Sequence, residues 1–264
     1  MTNKCALVTG AGGRLGRALA LELARHGFDV AVHYSSSAEG AAQTVAEIES
    51  TGQRAVALQA DFLKLDEVKA LVPQAVEALG GPLSVLVNNA SIFEYDRIGT
   101  VSDDSWDRHM SSNLRAPLFL IQYFAAQAPK ATTDEFGEQQ SQALIVNMLD
   151  QRVQKLTPEF MTYSLAKHGL WTLTRTAAQA LAPHVRVNGI GPGSTMIGER
   201  QSQEHFEAQR MGSILKRGPN PSDITSALSY LLNAPAVTGQ MIAVDGGQHL
   251  GWQTPDVIGN PKKS

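Results

Sequence analysis

Short apolar runs rich in Val, Leu and Ile alternate along the chain with longer stretches in which apolar residues recur at helical spacing. Residues 5–9, 29–33, 55–59, 83–87, 143–148, 185–190 and 240–244 read as strands. Residues 15–25, 39–50, 66–79, 104–126, 160–181 and 223–232 read as the helices between them. Strand–helix alternation implies βαβ units and a parallel sheet, because parallel neighbours need crossovers. The strands lack clean polar–apolar alternation, as expected when both sheet faces are covered. The expectation is one doubly wound α/β domain over residues 1–264. Two segments break the rhythm: polar 129–142 reads as a surface loop, and 194–220, mixed and weakly helical, as a candidate substrate-covering segment or a plain surface excursion.

With 264 residues, 43% hydrophobic and 18% charged, the composition is that of an ordinary globular protein. A net charge of -3 argues against a nucleic-acid partner, which favours a basic face. The single cysteine, Cys5, lies in an apolar run and permits neither an internal disulfide nor a cysteine metal cluster, so no metal is expected. The first residues run straight into a strand without the apolar stretch of a signal peptide, and no run has the length of a membrane span. A cytoplasmic protein without membrane contact is expected.

Polar and glycine-rich positions gather where the strands end: Thr9-Gly10, His33-Tyr34-Ser35, Asp61, Asn88 to Ser91, Asn147 to Asp150, and Gly191-Pro192-Gly193. In open α/β sheets ligands bind beyond those carboxyl ends. The first turn, Thr9 to Gly16, carries glycines at 10, 12, 13 and 16 between a strand and a helix. Glycine there lets the backbone turn tightly and lets a pyrophosphate approach the helix N-terminus. It meets neither strict GxGxxG nor the P-loop pattern. An NAD site normally has an acid at the end of the second strand; here no acid appears until Glu39, which favours NADP.

Tyr163 and Lys167 are four apart and so share one helix face. An ammonium beside a phenol stabilises the phenolate and draws its pKa down toward a useful range. Alone, the pair is no more than a common helix-surface coincidence. It follows the strand-end Asp150 and precedes the Gly191-Pro192-Gly193 turn, which gives it weight.

With these motifs in place, the sequence resembles the short-chain dehydrogenase/reductase family over nearly its whole length. The resemblance rests on Thr9-Gly10 to Gly16, Asp61, Asn88-Asn89-Ala90, Asn113, Tyr163-x-x-x-Lys167, Pro192-Gly193 and the closing Val244-Asp245-Gly246-Gly247. It implies a seven-stranded sheet in the order 3-2-1-4-5-6-7, Tyr163 as proton donor, Lys167 on the nicotinamide ribose and Asn113 holding a relay water. It further implies cofactor contacts from Gly10, Arg14, Leu15, His33, Tyr34, Ser35, Asp61, Phe62, Asn89, Ala90, Ser91, Pro192, Gly193 and Ser194.

The departures from the family pattern narrow the reading. Arg14 stands in a slot usually glycine, Asp150 where a serine is expected, and the fourth-strand motif runs on through Ser91 to Phe93. These are similar to the pteridine reductase branch. There the residues matching Asp150, Tyr163 and Lys167 form the catalytic set, and those matching Arg14, Ser91 and Phe93 meet the pterin. One mismatch is Ser36, where that branch often carries a basic residue for the 2′-phosphate. A pterin offers amino and ring N–H donors, which a carboxylate accepts better than a serine, and a flat ring that stacks on Phe93. Asp150 as a turn cap, Phe93 as core and Arg14 as an ordinary surface residue stay open from the residues alone.

The leading expectation is thus NADPH-dependent reduction of a dihydropterin or dihydrofolate. An alcohol–ketone oxidoreductase and a non-catalytic NADP sensor are the competitors. A homotetramer is expected from the resemblance. Leu170, Trp171 and Leu173 are expected to form its interface core, with the tail 251–264 reaching a neighbour.

Overall fold

A computed structural model describes residues 4–198, 201–254 and 257. Strands β1 (Cys5–Val8), β2 (Asp29–Tyr34), β3 (Ala55–Gln59) and β4 (Leu83–Asn88) alternate with helices α1 (Arg14–Arg25), α2 (Ala38–Glu49) and α3 (Leu65–Leu79). Then come α4 (Asp103–Met110), α5 (Ala116–Gln127), a hairpin of β5 (Thr132–Thr133) and β6 (Gln139–Gln140), and β7 (Ala143–Met148). The chain continues through α6 (Met161–Leu181), β8 (Val185–Pro192), α7 (Gln203–Met211), α8 (Pro221–Leu232) and β9 (Met241–Val244). The main sheet is ordered β3-β2-β1-β4-β7-β8-β9, every pair parallel. Without the hairpin this is the expected order, 3-2-1-4-5-6-7. The order reverses between β1 and β4, which opens a crevice at their carboxyl ends.

Successive strand residues point to opposite faces, so each strand supplies two cores. Leu7, Leu86, Ile145 and Val187 pack with Leu71, Leu120 and Phe124 on one face. Ala6, Val8, Val32, Val87 and Val146 pack with Leu19, Leu23, Ile48 and Leu228 on the other. The helices carry local start signals: α4 opens with a Ser102–Ser105 capping box, and α8 with an Asn220–Asp223 box followed by Pro221.

The structure corrects some of these expectations and fills in others. The helix expected over 104–126 is broken by a π-helical turn, Ser111–Arg115, which separates α4 from α5. Loop 129–142 holds the short antiparallel hairpin, and 194–220 holds α7, with residues 199–200 outside the described set. Leu170 is buried inside its own subunit, while Trp171 and Leu173 are half-buried, so Leu170 offers nothing to an interface. Of the tail expected to reach a neighbour, residues 255–256 and 258–264 lie outside the described residues. Among the described residues no helix is long and apolar enough to cross a membrane, and no cluster of His, Cys, Asp or Glu is arranged to hold a metal.

Candidate active site

The glycine turn after β1 is held from behind by buried side chains. Thr9 Oγ1 accepts from the Asn89 and Ala90 amides at 2.8 and 2.9 Å, and Asn89 Nδ2 donates to the Thr9 carbonyl. The Gly10 amide donates to His33 Nδ1 at 3.0 Å. That bond places the ring proton on Nε2, which donates to the Ala60 carbonyl at 3.0 Å. Burial brings His33 down to about 4, against the Ala60 bond, so the ring is neutral and fully used. Its face stacks on Phe62 at 4.4 Å. His33 and Phe62 were expected on the cofactor; their buried side chains sit behind the turn instead and support it.

In front, the turn is shaped for close approach. Gly10 has φ 65, and a Cβ at Gly16 would collide with the Gly10 carbonyl. Gly13 caps α1 without a side-chain bond, and the first turn of α1 carries no acid, which leaves a positive N-terminus facing the crevice. Leu15 is half-buried in that first turn. At the end of β2, Tyr34 packs against the core while Ser35, Ser36 and Ser37 are exposed. Ser35 and Asp61 line one open cleft of about 560 Å³ with Gln59 and Lys64. A turn without room for a Cβ, an uncapped helix start and an acid-free run of hydroxyls fit a dinucleotide carrying a 2′-phosphate.

The proton chemistry gathers at the ends of β7 and the start of α6. Tyr163 Oη donates to Asp150 Oδ2 at 2.9 Å. Asp150 Oδ1 accepts from the Arg152 amide at 2.8 Å, so the same carboxylate that caps a short 3-10 turn also meets the phenol. Lys167 Nζ donates to the Met148 carbonyl at 2.7 Å and lies 5.7 Å from the Tyr163 ring centre. Tyr163 and Lys167 are only 6% and 3% exposed.

Burial raises the Asp150 carboxyl above its ordinary value, against the Arg152 amide and the Tyr163 hydroxyl. Burial, followed by the charge of Asp150, holds the Tyr163 phenol well above its ordinary value. Burial lowers Lys167 to about 8, against the pull of Asp150. The drop in the phenol expected from the Tyr–Lys spacing is therefore not found. Burial is the main reason, and the group bonded to the hydroxyl is the Asp150 carboxyl and not the ammonium. The phenol is neutral, and its proton lies in the hydrogen bond to Asp150.

Phe93, 54% exposed, stands edge-on to Tyr163 with ring centres 4.7 Å apart, and Ser91 is exposed two residues before it. Arg14 lies at φ 51 on the opposite wall, and its guanidinium donates to the carbonyls of Ile197 and Met196 at 3.0 and 3.4 Å. It thereby ties the start of segment 194–220 to the glycine turn. Pro192 ends β8, the Gly193 amide donates to the Val244 carbonyl, and Ser194 bonds Gln209 of α7. Asn113 sits in the π-helical turn with both side-chain ends on the Ile92 backbone at 2.8 Å, so it fixes the loop after β4 that leads to Phe93. π turns recur at functional sites, but Ser-Ser-Asn-Leu-Arg carries no local signal for one.

Two buried polar networks join residues that the sequence alone does not connect. Asn88 donates to Asn147, which donates to Thr174 on α6, cross-linking β4, β7 and the helix that bears Tyr163. Asp96, His109 and Thr162 form a second network behind Tyr163. Neither is visible in one dimension, because its members are distant in sequence.

Comparison with known proteins agrees with this geometry. The family described as short chain dehydrogenase matches residues 4–207. A 3-oxoacyl-[acyl-carrier-protein] reductase of Staphylococcus epidermidis is 34% identical over 94% of this chain and all of its own. The structure of an alternative dihydrofolate reductase 1, FolM, from Brucella suis in complex with NADP superposes with a TM-score of 0.88. It is 42% identical and covers 96% of this chain and 98% of its own. An NADPH-bound blue fluorescent protein from a metagenomic library superposes at 0.84 with 31% identity, covering 94% of this chain and 98% of its own. The chain belongs to the short-chain dehydrogenase/reductase family, in the branch similar to pteridine reductases, and is an NADP-dependent oxidoreductase.

Proposed function

We propose that this enzyme reduces a dihydropterin, dihydrofolate included, to its tetrahydro form with NADPH. The observation that carries this reading is the Tyr163–Asp150 hydrogen bond at 2.9 Å beside the half-exposed ring of Phe93. A ketone needs one donor to its oxygen. A pterin presents several N–H donors that call for an acceptor, and Asp150 supplies one where the family pattern has a serine. The likeness to a dihydrofolate reductase structure points the same way.

NADPH, when bound, supplies a hydride to the ring carbon of the C=N bond. Tyr163 Oη gives the proton to the ring nitrogen. Asp150, its carboxyl raised by burial, passes a proton from solvent back to the phenolate. Lys167 is placed to hold the nicotinamide ribose and to offset the phenolate charge. Arg14 and Ser91 line the opposite side of the pterin, and Phe93 takes one face of it.

The test is NADPH oxidation with dihydrobiopterin and dihydrofolate beside a panel of ketones and a 3-oxoacyl thioester. Faster turnover of the pterins is expected. Turnover confined to the thioester or ketones overturns the pteridine reading in favour of the activity named for the Staphylococcus relative, and no turnover of any kind favours a sensor.

We also propose a symmetric homotetramer. Leu118 on α5 and Leu165 on α6 are exposed and suit an interface better than Leu170 does. A monomer by light scattering at micromolar concentration rules this out.

A further inference from the structure

Behind Tyr163 lies a buried polar relay that the proton chemistry does not use. His109 Nε2 accepts from the Glu94 amide at 3.1 Å, so its proton is on Nδ1. That proton is directed to Thr162 Oγ1 at 2.7 Å. Thr162 in turn donates its hydroxyl to Asp96 Oδ2 and its amide to Asp96 Oδ1 at 3.1 Å. Ser105 adds a third donor to Asp96 at 3.2 Å. Asp96, Thr162 and His109 are all at or below 1% exposure.

A buried carboxylate is costly unless it is fully bonded, and apolar side chains would fill the same space at less cost. What the polar relay adds is direction. It joins three separate pieces: the loop after β4 through Glu94 and Asp96, α4 through Ser105 and His109, and the first turn of α6 through Thr162. The loop piece begins immediately after Phe93, and the helix piece is immediately before Tyr163. The ring of His109 also lies edge-on to Tyr163 at 6.1 Å.

A second contact closes on the same ring from α6. Phe160 stacks on Phe93 with centres 4.4 Å apart and planes within 9°. Phe160 holds φ 56, a backbone conformation that bulky side chains rarely adopt, and the Arg152 guanidinium lies 4.8 Å from its ring centre. Phe93 is exposed but not loose: its ring is backed by Phe160, and its backbone is pinned by the relay.

We infer that Asp96, Thr162 and His109 are positioning residues that set the spacing between the Phe93 ring and the Tyr163 hydroxyl, and so the gap into which the flat substrate ring must slide. This rests on the pteridine reading of the site. Stacking and in-line proton delivery both demand the ring at one height. A loop free to move would bind the pterin in many poses, few of them reactive. The relay touches neither the glycine turn nor the β2 end, so the cofactor half is outside its reach.

The experiment compares Thr162→Val with Thr162→Ser. Valine keeps the shape and removes the hydroxyl; serine restores it. With dihydrobiopterin and NADPH, Thr162→Val should raise the pterin KM by at least about tenfold, while the NADPH Kd stays within about twofold and kcat falls less than the KM rises. Thr162→Ser should return the KM to within about twofold of the parent. Wild-type pterin KM in Thr162→Val, equal losses in pterin and NADPH binding, or failure of serine to rescue would each overturn the assignment.

Should valine unfold the chain, His109→Gln, which retains only one of the two relay bonds, is read by the same split. Hydrogen exchange at the Glu94 and Thr162 amides supplies a readout independent of substrate. It should quicken in Thr162→Val while the Gly10 amide is unchanged, and unchanged exchange at Glu94 and Thr162 refutes the relay. If the parent enzyme does not turn over dihydrobiopterin, the pteridine reading falls. The exchange result still decides whether the relay pins the loop.

Discussion

The two halves of the crevice are built on different principles. The cofactor half is made by backbone: glycines at 10 and 16 leave no room for side chains, and Thr9, Asn89 and His33 bond main-chain atoms from behind. The substrate half is made by side chains: Phe93 stacked on Phe160, Tyr163 on Asp150, Arg14 reaching across to Met196 and Ile197. A backbone cradle recognises what all dinucleotides share, and few substitutions in it are tolerated. A side-chain wall is rewritten by single changes. The same fold therefore serves one cofactor and many substrates, and changes in the two halves should have separable effects.

The largest effect is expected where the halves meet. Tyr163→Phe removes the hydroxyl that bonds Asp150 and should lower kcat by at least ~100-fold, the scale of lost general-acid catalysis. NADPH affinity, measured by fluorescence titration, should hold, since the turn around Gly10 does not touch the hydroxyl. A variant with parental kcat would move the proton source elsewhere.

Next in size is Asp150→Ser, which restores the residue usual in the family and removes the acceptor. An unmet buried donor on the substrate costs about 1–3 kcal/mol, so kcat/KM for the dihydropterin should fall by roughly 10- to 100-fold. Ketone reduction, where it occurs, should hold or rise. If both substrates decline together, Asp150 is a turn cap and nothing more, and the contrast between the halves loses its sharpest example.

The contrast also explains what could be read from the chain. Backbone-built features leave local marks, and these were legible: the sheet strands, the glycine turn, the missing acid before Glu39, and the Tyr163–Lys167 spacing. Side-chain-built features depend on partners brought together by the fold. Leu170 looked exposed beside Trp171 and Leu173, but it faces inward. The 104–126 stretch reads as one helix by the spacing of its apolar residues, and that spacing does not signal the π turn that seats Asn113. His33 ends a strand on the ligand side of the sheet, and only the Gly10 and Ala60 bonds show that it faces away. Asp96, His109 and Thr162 come from three elements and have meaning only together.

Cofactor choice tests the first half on its own. The exposed hydroxyls at Ser35 to Ser37, in a strand end whose own run carries no acid before Glu39, should give NADPH a preference of at least ~10-fold over NADH, about 1.4 kcal/mol. Ser35→Asp sets a charge against the 2′-phosphate and should move the preference toward NADH with the dihydropterin KM little changed. Equal use of both cofactors by the parent enzyme would refute the reading of this strand end.

The smallest effect is the most specific to the backbone half, because it involves a residue buried behind the glycine turn. Burial holds His33 at about 4, below its ordinary value of 6.5. Between those two values the unfolded chain binds a proton at this position that the folded chain refuses, so the stability of the fold must decline as the pH drops from 6.5 toward 4. Above 6.5 the ring is neutral in both states and contributes no pH dependence. The loss should be felt first at the Gly10 amide, whose acceptor is the very nitrogen that protonation would occupy. His33→Gln keeps a polar side chain at the site but cannot titrate. Its melting temperature should start lower than the parent's at pH 7, since the ring's two bonds and its stack on Phe62 are compromised, yet fall less steeply on acidification. Parallel melting profiles for parent and variant from pH 7 to 4 would show that some other group governs the acid limb, and that the histidine behind the glycine turn is a support without a switch.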